Sequence, residues 1–169
     1  MKKILLLAIA IVIIVVITGG FLAQRFPIIN QANNNLNINN LLPSGKILDL
    51  SNQGLKSIPS SVFSQTGLEE LDISNNLLTG AIQAEIRHLT NLKVLNASNN
   101  SMTGVPAEIG QLKKLEFLDL SNNQLTGLPY ELGNLSNLKV LNLSGNKYSQ
   151  QDLNYIRNNL PTTVKIILN

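Results

Sequence analysis

Leu115-Glu-Phe-Leu-Asp-Leu-Ser-Asn-Asn123 decides the fold, because the same frame returns along the chain. It is read again in Leu68-Glu-Glu-Leu-Asp-Ile-Ser-Asn-Asn76, Leu92-Lys-Val-Leu-Asn-Ala-Ser-Asn-Asn100 and Leu138-Lys-Val-Leu-Asn-Leu-Ser-Gly-Asn146. Aligned on Leu48, Leu71, Leu95, Leu118, Leu141 and Val164, the units are 23, 24, 23, 23 and 23 residues apart. Self-similarity at a fixed period of this size marks a solenoid, in which each unit is too small to bury its own apolar face and must stack on its neighbours.

Within the frame, Leu-x-Leu at a spacing of two sends both leucines to one side of a short strand and the intervening residues to the other. Stacked strands, about 4.8 Å apart, then build a parallel sheet with one apolar and one free face. The free face carries three columns. Ile47, Glu70, Val94, Phe117, Val140 and Thr163 form the first, and Asp49, Asp72, Asn96, Asp119, Asn142 and Lys165 the second. Ser51, Ser74, Ser98, Ser121, Ser144 and Ile167 form the third. Asn76, Asn100, Asn123, Asn146 and Asn169 recur where the chain leaves the strand, and a carboxamide there can donate to and accept from turn backbone. They read as a structural ladder, with Gln53 in that place marking a looser first unit.

The frame L-x-x-L-x-L-x-x-N resembles the leucine-rich-repeat family, and the resemblance covers residues 43–169. The second half of each unit agrees, as in Leu125-Thr-Gly-Leu-Pro129 followed by Leu132, Leu135 and Leu138. Leu78-Thr-Gly-Ala-Ile82 is one residue longer and looks like the plant-type variant, with Gln83 where that variant has Pro. The resemblance implies an α/β solenoid with a curved parallel sheet on its concave face and turns or short helices on its convex face. Thr79-Gly80, Thr103-Gly104 and Thr126-Gly127 are read as backbone-loosening turns, and Pro59, Pro106 and Pro129 as starts of the convex segments. Ser149 with Asp152 begins a helix whose Leu153, Ile156 and Leu160 share a face, ending before Pro161 and leading to a last strand at 164–168.

Residues before the repeats differ in kind. After a basic stub, residues 1–3, comes an uncharged run over 4–23, roughly 30 Å long as a helix and so long enough for one bilayer crossing. A cleaved secretory signal is the competing reading, with Thr18-Gly19-Gly20 and Ala23 as possible cleavage positions. Lys2 and Lys3 precede the run and only Arg25 follows closely, so both readings put the N-terminus in the cytoplasm and the repeats outside. Residues 24–42, Asn-rich, form a linker whose Leu36, Ile38, Leu41 and Leu42 can fold over the first repeat.

The net charge of +3 is that of Lys2, Lys3 and Arg25, leaving ten Lys and Arg against ten Asp and Glu from Leu41 onward. A balanced domain has no electrostatic footprint for nucleic acid. Without Cys or Trp, and with His88 alone, the chain has no nucleophile and base set, so no catalytic residue, metal site or cofactor is assigned. The interrupted Asp49, Asp72 and Asp119 column is a poor calcium site, since such sites need six to eight converging oxygens. His88 falls on the convex side, where solvation is expected, and the sequons at Asn96, Asn99, Asn134 and Asn142 arise from the repeat frame itself. Lack of Cys, hence of disulfide-bonded caps, fits a bacterial envelope.

In the resembling family the concave face commonly binds a protein or peptide. Val94, Phe117 and Val140 are therefore the candidate contact strip, centred on Phe117, with Asp72, Asn96, Asp119 and Asn142 beside it. Strand preference alone also accounts for β-branched and aromatic residues there. The expected function is a noncatalytic, membrane-anchored, extracytoplasmic module binding a protein or peptide of unknown identity. An envelope assembly or self-association component and a secreted effector released by signal cleavage are the alternatives.

Overall fold

A computed structural model describes residues 46–168, so the expected membrane segment at 4–23, the linker at 24–42 and Asn169 lie outside the described residues. Six short strands form a parallel sheet in the order β1-β2-β4-β6-β7-β8. They are β1 (Ile47–Asp49), β2 (Glu70–Asp72), β4 (Val94–Asn96), β6 (Phe117–Asp119), β7 (Val140–Asn142) and β8 (Lys165–Ile167). The first four units return through a 3-10 turn on the opposite wall, at Ser60–Ser64, Ala84–His88, Ala107–Gln111 and Tyr130–Asn134. Pro59, Gln83, Pro106 and Pro129 stand immediately before them in extended conformation, where a ring-fixed φ and a missing N–H do no harm.

The register puts Leu48, Leu71, Leu95, Leu118 and Leu141 opposite one another, in one interior row. Each is buried, and with Leu50, Ile73, Ala97, Leu120 and Leu143 they form the sheet side of the core. Val62, Ile86, Ile109 and Leu132 close it from the 3-10 turns. At about 25 cal/mol per Å² of apolar surface, this repeated burial is the main force holding the stack. Gly110 marks how closely the turns approach, because a Cβ there would run into the Glu131 carbonyl oxygen.

Ladder asparagines fasten each unit to the one before. Asn123 lies buried, accepting from the Met102 N–H (3.0 Å) and donating to the carbonyls of Ala97, Leu120 and Ser121 (3.1 Å each). Asn76, Asn100 and Asn146 make the equivalent bonds, accepting from the N–H of Leu55, Leu78 and Leu125 respectively. The residue before each ladder position has left-handed backbone, with φ of 54° at Asn75, 54° at Asn99 and 53° at Asn122. Gly145, the substitute for Asn in the fourth phrase, has φ of 70° at the same place. Only glycine and short polar side chains take that conformation at low cost, so the pair Asn-Asn holds two different constraints.

The 24-residue unit has a further feature. β3 (Thr79–Ala81) pairs in parallel with β5 (Ser101–Gly104), a second, two-stranded sheet between consecutive units. Gln83, in the place of a proline, donates from Nε2 to the Ile58 carbonyl at 2.9 Å and so ties its unit to the preceding one. Of the three Thr-Gly pairs only Gly80 has positive φ, at 70°. Gly104 and Gly127 therefore do not require glycine for a left-handed turn, which corrects the common role given to the three pairs.

At the far end, α1 (Gln150–Asn159) is capped by Ser149, whose hydroxyl accepts from the N–H groups of Gln151 and Asp152. Leu153 and Ile156 are buried, and Asp152 Oδ2 accepts from the Leu128 N–H at 3.2 Å, fastening the helix to the unit below. The last strand departs from the period. Ile166, and not Val164, stands opposite Leu141, and Lys165 opposite Val140. The helical return is longer than a 3-10 turn, so the strand starts two residues late. Thr163 thus leaves the first column to Lys165, and Ile167 takes the second.

Candidate functional site

Among the described residues the face of the sheet opposite the core is a set of rows fixed by the strand register. The first row runs Ile47, Glu70, Val94, Phe117, Val140, Lys165. Val94, Phe117 and Val140 are half-buried, less open than a protruding strip, while Ile47 at the β1 edge is 47% exposed. Adjacent strands lie about 5 Å apart, so the three form one continuous apolar band across β4, β6 and β7.

The second row is consumed in hydrogen bonds. Asn96 donates from Nδ2 to Asp72 Oδ2, and Asn142 to Asp119 Oδ2, each at 3.0 Å across neighbouring strands. The other oxygen of each side chain turns back on its own strand end. Asp72 accepts from the Ser74 N–H (2.8 Å), and Asp119 from the N–H (2.8 Å) and hydroxyl (2.6 Å) of Ser121. Asn96 and Asn142 accept in the same way from Ser98 and Ser144. Asp72, Asn96, Asp119 and Asn142 are thus brought together beside the apolar band, with most of their polar capacity already engaged. The serine column is corrected by the same bonds: Ser74, Ser98 and Ser121 are buried, because the three-residue strand ends before them and the chain turns in under the Asp or Asn side chain.

A third polar row was not anticipated from the sequence. Lys46, Glu69, Lys93, Glu116 and Lys139 precede the first row and alternate in sign. Glu69 is bridged by Lys46 (2.5 Å) and Lys93 (2.7 Å), and Glu116 by Lys139 (2.5 Å). Hydrogen bonds from the two lysines bring the Glu69 carboxyl down to about 2, and Glu69 in turn raises the Lys93 ammonium. The signal was present in the second letter of each phrase, which reads Glu, Lys, Glu, Lys.

Glu70 stands apart. It has no hydrogen-bond or ion-pair partner among the described residues, and burial, then the neighbouring Glu69, pushes its carboxyl above the usual 4.5. Asp72 is also raised, by burial first, against hydrogen bonds from Ser74 and Asn96. The band is therefore bordered by a self-satisfied Asp/Asn row on one side and a self-neutralised Lys/Glu row on the other, with Glu70 at its β2 end.

Other surfaces offer less. A hollow of about 430 Å³ lies among the 3-10 turns, walled by Glu108, Lys113 and Glu131, on the wall opposite the band. His88 is exposed at the end of the Ala84–His88 turn. Tyr130 and Tyr155, both about half exposed, lie against each other with ring centroids 4.3 Å apart. No group of three or more metal-ligating side chains and no helix long and apolar enough to cross a membrane occurs among the described residues.

The architecture is that of a leucine-rich-repeat solenoid, and sequence comparison agrees. A leucine rich repeat model matches residues 46–102, and a two-copy leucine rich repeats model matches 90–130 and 113–161. The chain belongs to the leucine-rich-repeat proteins. Curated relatives match over part of the chain. A 3′-5′-exoribonuclease subunit of the CCR4-Not complex from Neurospora crassa is 50% identical over 52 residues, 31% of this chain and 6% of the relative. A volume-regulated anion channel subunit from Homo sapiens is 34% identical over 87 residues, 50% of this chain and 11% of its own length. The chain thus spans a small fraction of either.

Solved structures agree over more of the chain. A leucine-rich-repeat protein of Leptospira interrogans is 40% identical with a TM-score of 0.67, over 72% of this chain and 30% of that one. The ectodomain of the receptor kinase SOBIR1 from Arabidopsis thaliana is 28% identical with a TM-score of 0.58, over 72% and 66%. The plant peptide hormone receptor RGFR1, solved in complex with RGF2, is 32% identical with a TM-score of 0.60, over 73% and 24%.

Proposed function

We propose that this protein is a noncatalytic, membrane-anchored leucine-rich-repeat module that holds a protein or peptide on its concave sheet face, outside the cytoplasm. The observation that carries this reading is the Val94, Phe117 and Val140 band, an apolar surface left over when both flanking rows have satisfied themselves. An aromatic framed by polar rows is a fitting anchor for a contact. The similarity to receptor ectodomains, one of them solved with its peptide, supports a binding role. Membrane attachment rests on the uncharged run 4–23 after the basic stub, and an envelope setting on the absence of Cys.

The test is capture of native partners by the exported full chain. Phe117→Ala and Val94→Ser are expected to lower partner recovery about tenfold or more while the thermal midpoint stays within a few degrees. Undiminished recovery by both variants would count against the concave face. A cytoplasm-only reporter fused after Asn169 is expected to be silent, and an active reporter overturns the orientation.

A further inference from the structure

The open face of the sheet is graded in charge as well as in polarity. Lys46, Lys93 and Lys139 are spent on Glu69 and Glu116 at the rim and do not reach across the face as free cations. Over β1 and β2 the face presents Asp49, Glu70 and Asp72, with Asp49 directly opposite Asp72 in the register. Asp49 and Asp72 accept only neutral donors, from Ser51, Ser74 and Asn96, and Glu70 accepts none. Over β4, β6 and β7 the first row is the apolar band, and Asp119, held by Asn142 and Ser121, is the one acid of the second row there. Lys165 at the β8 edge is the one cation in these two rows. A half-buried carboxylate without a donor is costly to desolvate, and a cation from outside supplies what the fold leaves missing.

Resting on the concave-face reading, we infer that the occupant is an extended polypeptide segment. It lays an apolar side chain on the Val94, Phe117 and Val140 band and a Lys or Arg, two or three residues away, against Glu70, with the facing pair Asp49 and Asp72 in the next row. The spacing follows from the sheet. Glu70 on β2 and Phe117 on β6 are two strands apart, about 10 Å, which an extended chain crosses in about three residues, or in two with a long basic side chain. The same carboxylates repel nucleic acid and anionic lipid, so the gradient selects a basic polypeptide.

Burial, with Glu69 next to Glu70 and Asp49 opposite Asp72, already disfavours the charged forms of Glu70 and Asp72, so a basic ligand gains from restoring them. The experiment is selection from a synthetic library of ten-residue peptides, Phe fixed at the fifth position and the others random, on immobilised full-length chain in detergent micelles. Lys and Arg are expected to be enriched at least about fivefold over Glu and Asp two or three positions from the Phe. Glu70→Gln, with a thermal midpoint no lower than that of the unaltered chain, is expected to erase most of that enrichment, and 0.5 M salt to weaken it. Phe117→Ala is expected to reduce retention of all peptides alike. Retention that needs Phe117 but shows no basic preference, or a preference indifferent to Glu70→Gln, overturns the charge inference and leaves the concave face standing. Retention of no peptide above that of the Phe117→Ala chain overturns both.

Discussion

The ladder edge of each unit and the first row of the sheet face lie a few residues apart in every phrase, yet they obey opposite rules. At the ladder edge the same carboxamide is repeated at Asn76, Asn100, Asn123 and Asn146, buried or nearly so. No buried side-chain polar atom lacks a partner among the described residues. In the first row the residues change from unit to unit, stay half-open, and in Glu70 leave a carboxylate unmatched. Repetition in this molecule therefore reports a backbone that must be satisfied, and variation reports surface that the fold does not need. A contact surface is to be sought in the second kind of position.

The contrast can be broken first at the core that both regions share. Leu118→Ala, in the middle of the interior row and fully buried, is expected to cost about 3 kcal/mol or more in urea denaturation, from lost transfer energy plus the cavity left behind. Next comes the ladder itself. Asn123→Ala removes one acceptor and one amide that serve Met102, Ala97, Leu120 and Ser121, and is expected to cost about 2 kcal/mol because those backbone groups stay buried. A cost near zero would place water, not the side chain, as the partner of these groups and would dissolve the distinction drawn here.

The smallest effect sharpens the comparison from the other side. The Glu70 carboxyl binds its proton more tightly folded than unfolded, so its contribution is favourable below the ordinary value of 4.5 and is lost as pH rises through the higher folded value. Glu70→Gln is therefore expected to leave stability unchanged in acid and to raise it slightly at pH 7, within about 0.5 kcal/mol. Paired thermal melts at the two pH values check it. A clear loss at pH 7 would show that Glu70 has a structural partner after all.

Much of this was legible in the sequence, because the repeat imposes its own register. The interior leucines, the strand order, the proline-led turns and the Ser149 cap follow from spacing and local chemistry alone. What escaped were features that spacing does not encode. The alternating run from Val164 to Leu168 puts an apolar residue opposite Leu141 in either of two registers, and the length of the helical return decides between them. Ser74, Ser98 and Ser121 continue the alternation on paper, but the strand has already ended. For the candidate site, the sequence supplied the neighbours Val94, Phe117 and Val140. It did not disclose that Asp72 and Asp119 are engaged by Asn96 and Asn142, nor that the rim lysines are committed to Glu69 and Glu116.

Those rim charges and the Asp/Asn pairs constrain the length of the array. Units bearing Glu69 with Asp72 and Glu116 with Asp119 alternate with units bearing Lys93 with Asn96 and Lys139 with Asn142. The array consequently has a parity. Excising the Lys93 unit would set Glu69 beside Glu116, and excising the Glu116 unit Lys93 beside Lys139, whereas excising or adding two neighbouring interior units keeps the rim charges alternating. These four units are in this sense two doublets, and the interior of the array can be lengthened or shortened without electrical penalty only in even steps.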